Sequence, residues 1–233
     1  MRLQPLGHLS GGLECASSVP PRAARDNVDT MQALMFPEPV STLAVRRQGR
    51  EQFSDAEYWA FCEANPDLRI ERTAQGEIVV MPPSGGESDY RSSEVITDLK
   101  NWARIDGRGT AFGSSVQFFL PDGSGLSPDA AWVSHESLNR LTKQQRKKFL
   151  RLVPEFVVEV LSPSDDLKEA KAKMELWIAN GVELAWLIDG DAETVHVYRK
   201  GHMPKTRRHV AELAGAGPVA GFVLKLTPIW EGL

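Results

Sequence analysis

Three groups of residues have the types and the spacing to do chemistry. Pro128-Asp129 stands at the head of an expected strand, just after the turn Pro121-Asp122-Gly123-Ser124-Gly125. Glu159 lies inside Phe156-Val157-Val158-Glu159-Val160-Leu161, a near-continuous apolar run that reads as a strand covered on both faces. A carboxylate there is costly unless it is paired or binds a metal. Period-two alternation puts it on one face with Val157 and Leu161. The third group is the lysines that follow, Lys168, Lys171 and Lys173. On a helical wheel, Leu167, Ala170, Met174, Trp177 and Ile178 form the packed face. Lys171 and Lys173 sit at its two edges, roughly 70–90° from its centre, and Lys168 points away. An edge lysine can reach back over the sheet toward Glu159.

Two acidic groups and a lysine suit metal-dependent phosphodiester hydrolysis. Hard oxygen ligands fit Mg2+ or Mn2+. Such an ion would polarise the phosphate and lower the pKa of a bound water. The lysine would orient that water or stabilise the charge gathering around phosphorus. The same residues could instead form a buried structural ion pair, and spacing alone leaves both readings open.

These residues need elements to position them. Ser54 and Glu57 form a capping box that opens a helix to about Ala64. Runs at 68–73 and 77–81 flank Ala74-Gln75-Gly76 and read as a hairpin. A helix is expected over about 89–105, where Val95, Leu99 and Trp102 share a face and Gly107-Arg108-Gly109 ends it. Strands are expected at 111–120 and 129–133, then two short helices at 135–140 and 143–150, then the strand carrying Glu159. Ser164 is expected to cap the lysine-bearing helix, which Gly181 stops. Runs at 184–188 and 194–198 read as a hairpin, and 222–226 as a last strand. Strands between helices on both sides imply a three-layer α/β (α+β) domain over residues 36–233. Residues 1–35 mix Gly, Ser, Pro and Arg without sustained periodicity and read as a poorly ordered extension.

Composition narrows the function classes. The chain has 233 residues, 42% hydrophobic and 25% charged, which excludes wholesale disorder. Its net charge of -4 excludes a histone-like coat, so contact with a polyanion must come from a local patch or through a metal. The two cysteines, Cys15 and Cys62, make neither a disulfide framework nor a zinc site. No apolar run is long enough to span a bilayer and no signal-peptide h-region is visible, so a cytoplasmic, membrane-free protein is expected. The most basic run, Thr142 to Arg151, supplies Lys143, Arg146, Lys147 and Lys148 as candidate nucleic-acid contacts, although such runs are usually solvated helix faces. Ser162-Pro163-Ser164-Asp165 lacks a placed base for nucleophilic chemistry. The histidines lack metal spacing, and the tryptophans at 59, 102, 177 and 186 read as core.

Several segments together resemble a known family. They are Pro82 to Glu87, Ser93-Glu94-Val95, Leu120-Pro121-Asp122-Gly123, Ser127-Pro128-Asp129-Ala130-Ala131-Trp132-Val133, Pro154 to Asp165, and Lys173-Met174 followed by Asn180-Gly181-Val182. In this order they resemble the motif blocks of the Uma-type family of restriction-endonuclease-like proteins, in the PD-(D/E)XK nuclease superfamily, over roughly residues 50–230. The resemblance implies a restriction-endonuclease-like three-layer fold, a mixed β-sheet flanked by helices. It implies an endonuclease dependent on Mg2+ (or Mn2+) that acts on DNA. A catalytically inactive nucleic-acid-binding or protein-interaction module on the same fold is the alternative, and a homodimer stays open. By position, Asp129 matches the Asp of the PD motif and Glu159 the acid of (D/E)XK. Glu94 resembles the acidic residue on the helix leading into the core. Asp129, Glu159 and Glu94 are thus the implied metal ligands. One departure stands out: the motif lysine would fall at 161, where this chain has Leu161. Lys173 matches a lysine migrated onto the following helix, with Lys171 as its geometric rival. Asp129, Glu159 and Lys173 are therefore the implied catalytic residues.

Overall fold

The computed structural model describes residues 43–45 and 53–233. The expected extension 1–35 and its boundary lie outside the described residues. The first described elements form a small sheet with a helix beside it. Strand β1 (Leu43–Val45) pairs with β3 (Ile78–Met81), and β3 pairs with β2 (Arg69–Arg72) in the expected hairpin. Helix α1 (Asp55–Ala64) opens with the expected capping box, Ser54 and Glu57 each accepting the other's backbone N–H. Tyr58, Ile70, Ile78 and Phe119 bury a core of their own between this helix and sheet.

Helix α2 (Gly86–Asp106) is longer than expected because it starts at Gly86, directly after its N-cap Gly85. Its buried stripe is Ser88, Arg91, Val95, Leu99 and Ala103, while Trp102 is only half buried. Gly107, at φ 72°, ends it in a left-handed cap. The expected strand 111–120 is in fact two. Strand β4 (Gly109–Gly113) joins the large sheet, Ser114-Ser115 turns, and β5 (Phe118–Phe119) joins the small sheet through β6 (Gly125–Leu126). The turn-forming Gly113-Ser114-Ser115 lets the chain cross from one sheet to the other.

The large sheet has the order β11-β10-β9-β8-β7-β4. Its strands are β4, β7 (Ala130–Ser134), β8 (Phe156–Val160), β9 (Leu184–Asp189), β10 (Thr194–Arg199) and β11 (Lys205–Arg208). All pairs are antiparallel except β8 with β9. A parallel pair needs a crossover, and helix α4 (Leu167–Ala179) supplies it. Helix α3 (His135–Asn139) follows β7. The second short helix expected at 143–150 is one tight turn at 145–147. Its run of like charges offers no opposite-charge pair to support a helix, and Leu150 is drawn off to bond Gln117.

The sheet is covered on both faces. On one side, α2 and the C-terminal pieces β12 (Glu212–Ala214), β13 (Val223–Lys225) and α5 (Thr227–Glu231) enclose Leu99, Trp132, Phe156, Trp186 and Phe222. On the other, α4 packs Met174 and Trp177 against Ala131, Val157, Ala185 and Leu187. The result is the expected mixed sheet flanked by helices. The N-cap of α4 is Asp166, not Ser164: the Asp166 carboxylate accepts from the N–H groups of Lys168 and Glu169. Leu167, expected in the packed face, is then the first helical residue and is exposed. Among the described residues, no helix is long and apolar enough to cross a membrane.

Candidate functional site

Strand pairing brings Asp129 to Glu159. The β7–β8 ladder ends at Ala130↔Val158, so Asp129 stands one step further, opposite Glu159. Side chains directly opposed on antiparallel strands have Cβ atoms roughly 4.5–5.5 Å apart. The Asp129 side chain takes over where the ladder stops: its Oδ2 accepts from the Val160 N–H at 2.8 Å. Its Oδ1 lies 3.3 Å from Nη2 of Arg69 on β2. Alternation on β8 turns Glu159 to the α4 side with Val157, as expected.

Helix α4 closes over Glu159. The Trp177 indole N–H donates to Glu159 Oε1 at 2.9 Å, and Lys173 Nζ lies 3.1 Å from the same oxygen. Lys173 Nζ is also 3.1 Å from Oε1 of Glu71 on β2. Both oxygens touch one nitrogen, so Glu71 and Glu159 are close neighbours. Glu71 Oε1 accepts the Ser127 N–H as well, at 2.9 Å. It thereby ties down the segment that delivers Asp129. Lys171, the rival, makes no ion pair with Glu159 or Glu71 among the described residues, and its charge is felt at His196 of β10.

The electrostatics follow from this crowding. Burial pushes the Glu159 carboxyl up to about 7. Lys173 and the Trp177 N–H oppose the rise, and the negative charges of Asp129 and Glu71 add to it. Burial alone would lower the Lys173 ammonium, but Glu159, Glu71 and Asp129 together raise it above its ordinary value, so it stays charged. Three carboxyl groups, Asp129, Glu159 and Glu71, face two cations, Lys173 and Arg69, so the pocket has a deficit of cationic partners.

That deficit and the donor set fit a hard divalent cation. Among the described residues, no group of three or more His, Cys, Asp or Glu converges to hold an ion unaided. Asp129 and Glu159 would supply two carboxylates, leaving the rest of the shell to water and a phosphate. This sharing suits Mg2+, which keeps several waters and seldom occupies an all-protein cage.

Glu94 is not brought to this site. Its side chain makes no hydrogen bond or ion pair with any described residue. Asp89, Ser92, Ser93, Ile96 and Lys100 are the α2 residues that line the cleft over Asp129, and Glu94 lies about 140° around the helix from the centre of that stripe. The acidic residue that α2 does present to the cleft is Asp89. Glu94 is on the expected helix, on a face away from the cleft lining.

The cleft has a volume of about 740 Å³, and its rim carries Lys147 and Lys148. Lys148 Nζ lies over the Trp59 ring, 5.5 Å from its centre. Lys143 is exposed and does not line the cleft. Arg146 is turned back, bonded to Leu141 O and Asn139 Oδ1. Ser162 and Ser164 bond each other through their hydroxyls, and Ser162 N–H donates to Asp165, so they order the turn before α4.

Sequence reasoning missed Arg69, Glu71 and the polar role of Trp177. A signal for the first two exists in hindsight. Arg69-Ile70-Glu71-Arg72 packs three charges into a four-residue strand, which is costly in a buried hairpin unless those charges meet partners. Arg72 meets Gly123 O and Asp55 and stacks on Phe119. Glu71 meets Lys173.

The chain matches the Uma2 family, described as "Putative restriction endonuclease", over residues 52–225. The chain belongs to the Uma2 family. No curated protein matches it. Among solved structures, it is similar to a protein from Anabaena variabilis ATCC 29413 described as a "putative nuclease belonging to DUF820". The TM-score is 0.60 at 19% identity, covering 71% of this chain and 91% of that one. Family and fold agree with the expectation drawn from the motif blocks. The Uma2 match includes the whole set Arg69, Glu71, Asp129, Glu159 and Lys173.

Proposed function

We propose that this Uma2 protein is a divalent-metal-dependent endonuclease that hydrolyses phosphodiester bonds in DNA. The observation that carries the reading is the meeting of Asp129, Glu159 and Lys173 on one face, with Lys173 reaching Glu159 from α4 where residue 161 is a leucine. Burial also raises the proton affinity of Glu159, as is common for carboxylates at functional sites. Asp129 and Glu159 would hold Mg2+ or Mn2+, and the ion would supply Lewis-acid stabilisation of the phosphate charge.

The chain's own residues do the rest. Trp177 and Lys173 fix Glu159 Oε1, leaving Oε2 for its ligand. The Val160 N–H fixes Asp129 Oδ2. Lys173 is the cation beside the reacting phosphate, placed to orient the attacking water and to stabilise the developing charge. The cleft over Asp129 admits the strand, and Lys147 and Lys148 on its rim meet the backbone phosphates.

The test is cleavage of supercoiled plasmid, linear duplex, single-stranded DNA and RNA with Mg2+, Mn2+ or EDTA. DNA should be cut only with a divalent ion, and Asp129→Ala and Glu159→Gln should abolish cutting. DNA binding without cleavage under all conditions would favour the inactive module instead.

A further inference from the structure

The site contains a second cation that the reading above does not employ. Arg69 projects from β2 of the small sheet, and among the described residues its guanidinium bonds Asp129 through one N–H at 3.3 Å. A good charge-assisted bond is roughly 2.7–2.9 Å and an Arg–carboxylate pair is frequently two-pronged, so this contact is long and single. Its Nε is buried without a hydrogen-bond partner. A guanidinium has five donors in a fixed fork, and here one is engaged weakly while a buried one is idle. Leaving a buried donor empty is costly. Lys173, by contrast, is shared between Glu71 and Glu159 at 3.1 Å each.

The oxygen that Arg69 holds matters. Asp129 Oδ2 is committed to the Val160 N–H at 2.8 Å. Oδ1 carries only the long Arg69 contact and is the oxygen open to a cation. Arg69 and that cation cannot both be well served by it, since like charges compete for one lone-pair region. An arginine displaced from Asp129 keeps its place on β2 next to Asp129, a third of its side chain exposed and free to meet an anion. A planar fork of N–H donors matches two phosphate oxygens.

We propose, resting on the nuclease reading, that Arg69 is the substrate-phosphate ligand of this site. It is held on Asp129 while the site is empty and transferred to the phosphodiester once Asp129 is given to a cation. The Arg69–Asp129 pair thus guards the empty site, and the cation opens it to substrate.

The experiment compares wild type, Arg69→Ala and Arg69→Lys, with folding checked by circular dichroism and melting. Binding of a fluorescein-labelled DNA duplex is followed by anisotropy in Ca2+, which is chosen to load the site without turnover, and in EDTA. Mn2+ titration of the DNA-free protein is followed by calorimetry. In Ca2+ the Arg69→Ala variant should bind DNA at least tenfold more weakly than wild type, and in EDTA the two should agree within a factor of about two, because the free protein keeps Arg69 on Asp129. Arg69→Lys should recover only part of the loss, since a point charge replaces the fork. Mn2+ should bind Arg69→Ala as tightly as wild type or more tightly, a competitor having gone. Equal DNA affinity of Arg69→Ala and wild type in Ca2+ would overturn the assignment, even if both cut DNA. So would equal losses in Ca2+ and EDTA, which describe an ordinary surface charge, or weakened Mn2+ binding, which describes a structural clamp. A wild type that binds DNA in Ca2+ but cuts it with neither Mg2+ nor Mn2+ would count against the nuclease reading alone, because binding, not turnover, decides Arg69.

Discussion

Lys173 and Lys171 are two residues apart on one helix and differ in everything that matters. Lys173 sits on two carboxylates, and the charge of Lys171 is felt at His196. Lys173→Ala should therefore lower kcat by two or more orders of magnitude with KM little changed, the sign of a contact made in the transition state. Lys171→Ala should cut DNA like wild type, and full activity of Lys173→Ala would end the assignment. Glu159 makes a second prediction, for the metal-free protein. Its folded pKa of about 7 lies above the unfolded carboxylate value of 4.5. The folded state therefore favours the protonated form. The stabilisation is complete below about pH 4.5 and is lost as pH rises through 7. Relative to wild type, Glu159→Gln should gain stability on the order of 2–3 kcal/mol between pH 4.5 and pH 8 in EDTA. The comparison separates Glu159 from His196, whose lowered pKa acts with the opposite sign. Parallel denaturation profiles for the two proteins across that range would refute the account.

Helix α4 carries both the packing and the chemistry, so its phase can be checked by stability alone. Met174 is fully buried on the sheet and Leu167 is exposed. Met174→Ala should cost about 2–5 kcal/mol in urea unfolding, and Leu167→Ala less than about 0.5 kcal/mol. The start of the helix gives a sharper contrast. Asp166→Ala removes the acceptor for two backbone N–H groups and should cost about 0.5–2 kcal/mol. Ser164→Ala should cost almost nothing, since its hydroxyl meets only Ser162. The sequence could nominate either residue as cap, because Ser and Asp are equally good acceptors. Only the turn that Ser162 and Asp165 build shows where the helix begins. The split of the expected strand 111–120 has a similar origin: its apolar residues continue the pattern, while Gly113-Ser114-Ser115 redirects the chain into another sheet.

At the scale of the molecule, a chain of net charge -4 that acts as the proposed nuclease would have to meet DNA through a local patch. Lys147 and Lys148 line the cleft that contains Asp129, whereas Arg146 is bonded back to its own turn. Replacing Lys147 and Lys148 together by Ala should weaken DNA binding for every sequence and reduce the slope of log K against log salt by about 2. Arg146→Ala should leave the slope unchanged. A slope that follows Arg146 and ignores the two lysines would move the DNA path away from this rim.

The positions of Asp129 and Glu159 were legible in the sequence because they depend on local rules. A strand head after a turn, a charge inside an apolar run and a helix directly after it are all patterns of nearest neighbours along the chain. The wheel put both Lys171 and Lys173 at the edges of the packed face, and only the resemblance to the family's Lys-Met block favoured Lys173. What the sequence left open was every contact between distant segments. Arg69 and Glu71 belong to a hairpin some sixty and a hundred residues before Asp129 and Lys173, and no periodicity relates them. The placement of Glu94 away from the cleft was illegible for the converse reason. Its helix was foreseen, but which face of α2 meets the cleft depends on how the helix is rotated against the sheet. The buried stripe from Ser88 to Ala103 fixes that rotation, and it is set by packing among residues from all parts of the chain.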